Sequence, residues 1–302
     1  MGDEIVDGRS ARGKLAQLHR LLASFPSAVV AFSGGADSAF LAFMARRALG
    51  DKALAITAES ASLARSELRE ARTFARDFGI PHRIIETHEL EDERYSKNGP
   101  DRCYLCKDAL MDALEAITRA TGSGEILVGV NVDDLGDYRP GQAAVADRGG
   151  RWPLVVVGLS KAEIRWLSRE LGLTTWNKPA AACLSSRIAY GVRVTPEALR
   201  RIDRSEEALR ALGISGQIRV RDQGRNLARI EIDPEGFDLL MERREEVVAA
   251  LKDAGFTFVV LDLEGYRMGS HNAGLRELPL LMAGQATEAR RSGAVIPERE
   301  KR

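Results

Sequence analysis

The run Ser33-Gly34-Gly35-Ala36-Asp37-Ser38 lies between two apolar segments, residues 27–32 before it and residues 39–49 after it. The first segment is typical of a buried parallel strand, and the second is typical of a helix. Glycine allows backbone angles that bring N–H groups close to an anion, and the following helix directs its N-terminal N–H groups and dipole to the same place. The run therefore predicts a phosphate-binding loop, although a tight turn with a capping serine would explain two glycines alone.

Strand and helix patterns alternate on both sides of this loop. Further short apolar runs predict strands, and amphipathic or apolar segments predict the helices between them. The predicted strands cover residues 27–32, 53–57, 83–85 and 125–130, and the predicted helices cover residues 12–23, 39–49, 62–78 and 107–121. This alternation predicts an α/β fold with a doubly wound parallel sheet, whose ligand lies outside the carboxyl ends of the strands.

The pattern changes after residue 177. Thr195 and Pro196 have the types preferred at the cap and the first position of a helix, and Asp233 and Pro234 repeat that signal. Strands are predicted at residues 215–222, 226–232 and 257–263, with one helix running from residue 233 to about residue 254. We therefore expect an α/β domain at residues 1–177 and a smaller C-terminal α+β domain at residues 178–302, ending in a charged tail.

Bulk composition limits the class of protein. The 302 residues carry 44 basic and 44 acidic side chains, so the net charge is zero, whereas nucleic-acid binders usually have a basic excess. No run of about 18 apolar residues predicts a membrane span, and residues 1–10 lack the apolar core of a signal peptide. We expect a cytoplasmic protein, in which the three cysteines serve as free thiols, metal ligands or reactive groups rather than as disulfides.

The loop matches neither of two common nucleotide motifs. No Gly-Lys-Ser/Thr closes it as in a Walker A loop, and it lacks the spacing of the dinucleotide fingerprint. The pattern Ser-Gly-Gly-x-Asp-Ser after a first strand resembles the PP-loop of the N-type ATP pyrophosphatases. That resemblance implies that residues 33–38, with Ser33, Gly34, Gly35, Asp37 and Ser38 as the matching positions, bind ATP, which is cleaved to AMP and pyrophosphate.

An acidic run follows the fourth predicted strand, from Gly129 to Gly141. Its place at the ligand-binding edge of the sheet predicts that carboxylates such as Asp133 and Asp134 hold Mg²⁺ against phosphates, since Mg²⁺ prefers oxygen ligands. A solvated acidic loop is the alternative. The resemblance to the ATP pyrophosphatases places Gly129 near the nucleotide.

The cysteines form a C-x-x-C pair, Cys103 and Cys106, and a distant third, Cys183. The pair fits a redox site, half a zinc site or two ligands of an iron–sulfur cluster, and three unrelated thiols remain an alternative. No histidine lies near a cysteine in the sequence to complete a zinc site. Three thiolates would hold a four-iron cluster with one iron open.

Three runs together resemble the LarE family of ATP-dependent sulfur transferases: residues 33–38, residues 131–141 and residues 178–187. The resemblance implies that the chain adenylates each carboxylate of pyridinium-3,5-biscarboxylic acid mononucleotide and converts it to a thiocarboxylate for the nickel-pincer nucleotide cofactor. Sulfur in that family comes either from a sacrificial cysteine at the position of Cys183 or from a sulfide on a 4Fe–4S cluster held by three cysteines. Because this chain has all three, we expect Cys103, Cys106 and Cys183 to bind the cluster. The family also implies a homo-oligomer.

The second domain supplies the expected substrate contacts. Arg219 and Arg221 alternate with apolar residues, so both project from one face of a strand, where two guanidinium groups suit a phosphate or a carboxylate. An ordinary polar strand face is the alternative. By resemblance these arginines bind the phosphate of the substrate, with Glu207 nearby and Arg187 facing the same pocket. Lys178 is expected to contact the ATP phosphates or the acyl-adenylate.

Three other functions fit the sequence less well than sulfur transfer. A PP-loop tRNA thiolase would need a basic surface or an RNA-binding module, and an amide-forming ligase would not need the cysteines. A nucleotide-binding module without catalysis would need neither the acidic run nor the cysteines. The sequence therefore favours a small-molecule sulfur transferase.

Overall fold

Strands and helices alternate in the first half of the chain, in a computed structural model that describes residues 6–122, 124–136, 140–179, 182–267 and 269–270. Its elements in order are α1 (Gly8–Ala23), β1 (Ala28–Ala31), α2 (Ala36–Leu49), β2 (Ala53–Glu59), α3 (Arg65–Asp77), β3 (His82–Glu86), α4 (Glu93–Ser96), α5 (Arg102–Thr121), β4 (Glu125–Val128), α6 (Pro140–Asp147), α7 (Pro153–Val156) and α8 (Lys161–Glu170). The predicted tail and Asp137 of the acidic run lie outside the described residues.

The first four strands form one parallel sheet in the order β3-β2-β1-β4. Val30 of β1 pairs with Ala55 on one side and with Leu127 on the other, and all four residues of β1 are buried. Such burial explains the uninterrupted apolar sequence of this strand, because helices cover both faces of a parallel sheet. The predicted α/β class is confirmed. After β1 the chain adds β2 and β3 on one side of it and then returns to place β4 on its other side, so a ligand crevice is expected at the carboxyl ends of β1 and β4.

Two element boundaries near that crevice differ from the predicted ones. Helix α5 begins at Arg102, five positions before the predicted start, so that both cysteines of the C-x-x-C pair lie within its first turns. Strand β4 ends at Val128, because the N–H of Val130 donates back to the carbonyl of Val128 at 2.9 Å and Gly129 leaves the ladder. Both segments carry predicted site residues, the cysteine pair in α5 and Gly129 after β4.

The second half forms a smaller sheet with its own helices. Its elements are α9 (Pro196–Ala211), β5 (Ile218–Asp222), β6 (Leu227–Ile232), α10 (Phe237–Glu242), α11 (Arg244–Asp253) and β7 (Phe258–Leu261). Strand β6 lies between β5, to which it is antiparallel, and β7, to which it is parallel. Thr195 caps α9 by accepting from the N–H of Ala198 at 3.1 Å, as predicted.

The predicted single helix over residues 233–254 is wrong. A short 3-10 turn, Pro234–Gly236, comes first, and α10 and α11 are separated at Arg243. Arg243 has backbone angles of φ −99° and ψ 19°, and its guanidinium donates to the carbonyl of Leu212 at 2.9 Å. This contact with the end of α9 accompanies a bend that the apolar pattern did not predict.

Two main groups of buried apolar side chains correspond to the two sheets. One surrounds α2 and β1, and the other lies between α9 and the strands of the smaller sheet. Tyr95, from the first half of the chain, packs in the second group. The boundary at residues 177 and 178 stays a prediction. No helix in the described ranges combines the length and the apolar character needed to cross a membrane.

Candidate active site

The glycine loop is held by its own hydroxyl groups and by α3. Gly34 has φ +75°, and a Cβ there would lie 3.1 Å from the Cβ of Ala71 on α3, so both conformation and packing require glycine. Ser38 Oγ lies 3.0 Å from Ser33 Oγ and donates to the carbonyl of Gly35 at 3.0 Å. Gly35 is the N-cap of α2 and provides no side-chain cap. The first N–H groups of α2 are therefore left for an external anion.

The end of β4 packs directly on this loop. A Cβ at Gly129 would stand 2.9 Å from the N atom of Ser38 and 3.0 Å from the carbonyl carbon of Asp37. These are backbone atoms that cannot turn aside as a side chain can. Gly129 therefore allows the two predicted nucleotide-binding segments to lie against each other.

Asp37 is the acidic group of the loop itself. Its Oδ2 forms an ion pair with the ammonium group of Lys161, while its buried Oδ1 has no hydrogen-bond partner among the described residues. Burial raises the pKa of Asp37, Lys161 opposes that rise, and the nearby charge of Asp134 adds to it. An unsatisfied buried carboxylate oxygen is costly, so this atom is suited to a ligand such as a cation.

The acidic run is brought to the same place, and its first carboxylates organise the backbone. Asp133 Oδ2 accepts the N–H of Lys161 at 2.6 Å, and Asp134 Oδ2 accepts the N–H of Asn131 at 3.2 Å. Of these two residues, Asp134 is the one whose negative charge helps to raise the pKa of Asp37. The run therefore connects the end of β4 to the beginning of α8 beside the loop.

Three basic side chains surround the loop. Lys178 donates to the carbonyl of Gly34 at 3.1 Å and lies 2.7 Å from carboxylate oxygens of Glu67 and of Glu70 on α3. Burial opposes the charge of Lys178, but hydrogen bonds to the two glutamates raise its pKa above the usual value.

The other two basic residues, Lys161 and Arg165, were missed by the sequence analysis. They are four residues apart on α8. Arg165 donates to the carbonyl of Lys178 at 3.1 Å, and its positive charge lowers the pKa of Asp37. The i, i+4 spacing of two cations, the first of which lies within the capping box of Ser160 and Glu163, would have been the signal, because such a pair shares one helix face.

The three thiols are free and lie close enough to influence one another. Burial raises the pKa of Cys106 to about 12; Lys107 lowers it, and Cys183 and Cys103 contribute to the rise. Cys103 is exposed, while Cys106 and Cys183 are partly buried. In the described ranges, no three Cys, His, Asp or Glu side chains converge closely enough to hold a single metal ion. The structure thus brings the predicted cysteines into one neighbourhood without forming a mononuclear site.

A buried polar network joins the two cysteine-bearing segments. The hydroxyl of Tyr95 lies 2.7 Å from Ser185 Oγ, and Arg102 donates to the carbonyl of Ser185 at 2.8 Å. Asn98 Nδ2 donates to the carbonyls of Ala189 and Val192 at 2.8 and 2.9 Å. Sequence reasoning missed these residues, because their partners are some 90 positions away in the chain.

The predicted arginines form a buried group on the other side of Cys183. Arg187 bonds to Glu206 at 3.0 Å and to the carbonyl of Cys183 at 3.0 Å. Arg221 bonds to Glu231 through two nitrogens, at 3.0 and 2.8 Å, and to the carbonyl of Ser186 at 2.9 Å. These bonds tie the loop that carries Cys183 to β5 and α9.

Arg219 and Glu207 are placed differently. The guanidinium of Arg219 lies over the ring of Tyr266 at 5.2 Å, and burial together with the charge of Arg187 lowers its pKa to about 10. Glu207 instead bonds to Arg69 on α3 at 2.8 Å, on a more exposed surface. The glutamate that reaches the arginine group from α9 is Glu206, which the sequence analysis did not name.

Three cationic guanidinium groups therefore lie near one another, since the positive charges of Arg187 and Arg221 both lower the pKa of Arg219. Such a group suits a phosphate or a carboxylate. Residues 183–187 connect this group to α5, because Arg187 bonds to Glu206, whereas the carbonyl of Ser185 accepts from Arg102.

Comparison with known proteins places these features in context. A sequence profile described as NAD synthase matches residues 18–113. The chain is 34% identical over 268 residues to the pyridinium-3,5-bisthiocarboxylic acid mononucleotide synthase of Lactiplantibacillus plantarum, covering 88% of this chain and 96% of that one. It is 44% identical over 261 residues to an uncharacterized protein of Synechocystis, covering 86% of this chain and 97% of the relative. It is also 30% identical over 239 residues to an uncharacterized protein of Methanocaldococcus jannaschii, covering 79% of this chain and 90% of the relative.

Proposed function

The chain belongs to the same family as the pyridinium-3,5-bisthiocarboxylic acid mononucleotide synthase of Lactiplantibacillus plantarum, and we propose that it carries out that synthesis. It is an ATP-dependent sulfur transferase that adenylates the carboxylates of pyridinium-3,5-biscarboxylic acid mononucleotide and converts them to thiocarboxylates. The single observation that carries this proposal is the 34% identity over 88% of the chain.

ATP is needed because a carboxylate is a poor electrophile whose charge repels an anionic sulfur. A carboxylate oxygen attacks the α-phosphorus of ATP, and pyrophosphate leaves. The sulfur nucleophile then attacks the carbonyl carbon of the acyl-adenylate, and AMP leaves. The N–H groups at the start of α2 and the side chains of Lys161, Arg165 and Lys178 stabilise the charge that develops on pyrophosphate.

Mg²⁺ fits the acidic side of the loop. Asp37 Oδ1 is buried and has no hydrogen-bond partner among the described residues, and Asp134 is close enough for its negative charge to raise the pKa of Asp37. Proteins hold Mg²⁺ with one or two carboxylates together with phosphate oxygens and waters, so a third carboxylate is unnecessary. We assign Asp37 and Asp134 as its ligands; Asp133, the other residue expected from the sequence, already accepts from the backbone of Lys161.

A 4Fe–4S cluster fits the three cysteines by donor chemistry. Its thiolate ligands bind different irons, so the sulfurs do not need to converge on one ion. Cys103, Cys106 and Cys183 would hold it, and when bound it would supply an open iron site for a labile sulfide. Burial of Cys106 and the contacts of residues 183–187 with α5 keep the three thiols in one neighbourhood.

The arginine group is the proposed site for the substrate phosphate. Arg219 and Arg221 lie on one face of β5, and Arg187 adds a third cation. Glu206 and Glu231 orient Arg187 and Arg221 through buried ion pairs. Glu207, bonded to Arg69, is assigned to the neighbouring surface between α3 and α9.

The test uses the full chain purified without oxygen. We expect pyrophosphate release that requires both ATP and pyridinium-3,5-biscarboxylic acid mononucleotide, and a product whose mass shows replacement of oxygen by sulfur. Absence of ATP cleavage with that substrate would contradict the proposed function. We also propose a homo-oligomer, and sedimentation of the same sample would detect a monomer.

A further inference from the structure

Arg102 is a buried cation in an unusual environment. The residue is 2% exposed. Its guanidinium donates to Asn98 Oδ1 and to the carbonyl of Ser185, the latter at 2.8 Å, and lies 5.9 Å from the centre of the Tyr190 ring. No carboxylate in the described part of the chain lies within ion-pair distance of it.

The other buried arginines of the site show the contrast. Arg187 is paired with Glu206 and Arg221 with Glu231, and both carboxylates are also buried. A charge removed from water without an opposite charge is strongly unfavourable, so a lone buried guanidinium implies an anionic partner in the working protein.

The candidate anions near Arg102 are sulfurs. Burial opposes the charge of Arg102, and Cys183 and Cys103 are the first groups that raise its pKa. Arg102 precedes Cys103 directly at the start of α5, and its bond to Ser185 ties it to the loop that carries Cys183. One guanidinium thus connects both cysteine-bearing segments.

We propose that Arg102 is a positioning residue that supplies the counter-charge for anionic sulfur at the cysteine site and fixes the Cys183 loop against α5. This inference builds on the proposed function, because anionic sulfur is the nucleophile of that reaction. Its ligand class is a thiolate or sulfide anion rather than a carboxylate or phosphate.

Two alkylating reagents test this charge. Iodoacetate is anionic and iodoacetamide is neutral, but both attack the same thiolate, so the ratio of their rates at Cys103 reports local potential rather than the fraction of thiolate. The full chain is reduced, freed of metal and mapped by mass spectrometry after reaction. We expect the ratio to fall about threefold or more in Arg102→Gln, which keeps a donor but loses the charge, and to be retained in Arg102→Lys.

Arg119→Gln is the matched control, since this exposed arginine lies at the far end of α5, roughly 25 Å away at 1.5 Å per residue, and is screened there. Equal ratios in wild type and Arg102→Gln would overturn the proposal. If the glutamine variant does not fold, the wild-type ratio at Cys103 is compared with that of N-acetylcysteinamide, a neutral thiol. A ratio above that reference supports the proposal, and a ratio at or below it contradicts the proposal.

Sulfur transfer separates this inference from the proposed function. Arg102→Gln is expected to lose at least about tenfold in thiocarboxylate formation while pyrophosphate release stays near wild type, and Arg102→Lys is expected to recover part of the loss. If Arg102→Gln and Arg102→Lys lost the same amount of thiocarboxylate formation, the role of Arg102 would be that of a structural hydrogen-bond donor and not that of a counter-charge. Failure of the wild type to release pyrophosphate would instead reject the proposed function and leave the alkylation result standing.

Discussion

The ammonium group of Lys178 donates a hydrogen bond to the carbonyl oxygen of Gly34 at 3.1 Å, 144 positions away in the sequence. Glu67 and Glu70 of α3 lie 2.7 Å from the same ammonium group. One cation therefore joins the phosphate loop to two carboxylates that would otherwise repel a triphosphate.

Replacement of Lys178 by methionine should lower the rate of pyrophosphate release about 100-fold, because it removes a donor beside the leaving group and exposes the loop to Glu67 and Glu70. Lys178→Arg should keep part of the activity. The measurement is pyrophosphate release at varied ATP. Lys52→Met, on an exposed 3-10 turn, is the control and should match wild type. Full activity in Lys178→Met would show that this cation has no part in the ATP site.

Gly129→Ala should disrupt the loop without unfolding the protein. The added Cβ would stand 2.9 Å from the N atom of Ser38, so either β4 or the start of α2 must move by several tenths of an ångström. Since a misplacement of about 1 Å can lower a rate about 100-fold, we expect this smaller shift to cost roughly tenfold. Steady-state kinetics and a melting curve measure the two effects.

Gly13→Ala is the matched substitution on α1, where a Cβ meets nothing within 4 Å. It should leave activity unchanged and raise stability by about 0.5–1 kcal/mol, since alanine loses less backbone entropy in a helix. Equal kinetics for the two alanine variants would contradict the close packing of β4 on the loop.

The local features of this site were predictable from sequence. The strand, the loop and the helix around residues 33–38 are set by neighbouring residues, and glycine at position 34 is required by its positive φ. The C-x-x-C pair was predicted directly before the helix at residues 107–121, and the structure places both cysteines in the first turns of that helix. These predictions needed no knowledge of distant contacts.

The long-range partners were not predictable in the same way. Lys161 meets Asp37 across 124 positions, and Arg102 meets Ser185 across 83. Nothing in the local pattern around either residue specifies such a partner. The missed Glu206 is different, because buried Ile202, Ser205 and Leu209 show the inward face of α9 and Glu206 continues that face.

Glu206 and Glu207 therefore give a direct comparison of adjacent residues. Glu206→Gln leaves Arg187 as a buried charge without its partner, which should cost about 3–5 kcal/mol of unfolding free energy. Glu207→Gln loses only a partly exposed ion pair with Arg69 and should stay close to wild type. Urea titration of both variants makes the comparison, and similar midpoints would contradict the assignment of Glu206 to the buried pair.

Asp203 should make stability depend on pH in the opposite sense to most carboxylates. Its pKa is raised, first by burial and then by the charges of Glu207 and Glu206, against a hydrogen bond from the N–H of Arg65 that lowers it. The native carboxylate therefore binds a proton more tightly than the unfolded one. Its charge disfavours folding above the raised pKa, and that cost disappears as the pH falls through it toward the unfolded value of about 3.9.

Asp203→Asn should accordingly raise the melting temperature near neutral pH, by an amount that shrinks toward about pH 4. Asparagine can still accept the N–H at the start of α3. Glu197→Gln is the contrasting variant: hydrogen bonding from its own backbone N–H and from Arg200 lowers the pKa of Glu197, so loss of that charge should lower the melting temperature at neutral pH. A lower melting temperature for Asp203→Asn at neutral pH would contradict the predicted sign.

The cysteine variants decide the source of sulfur. If all three thiols hold the cluster, Cys103→Ala, Cys106→Ala and Cys183→Ala should each abolish repeated sulfur transfer and lower the iron and acid-labile sulfide per chain. Pyrophosphate release should persist in all three, because the glycine loop and its basic residues are unchanged. If Cys183 is instead the sulfur donor, Cys103→Ala and Cys106→Ala should support one transfer per chain, and mass spectrometry should find dehydroalanine at position 183. Iron-free wild-type protein with that modification would reject the cluster and leave the adenylation chemistry intact.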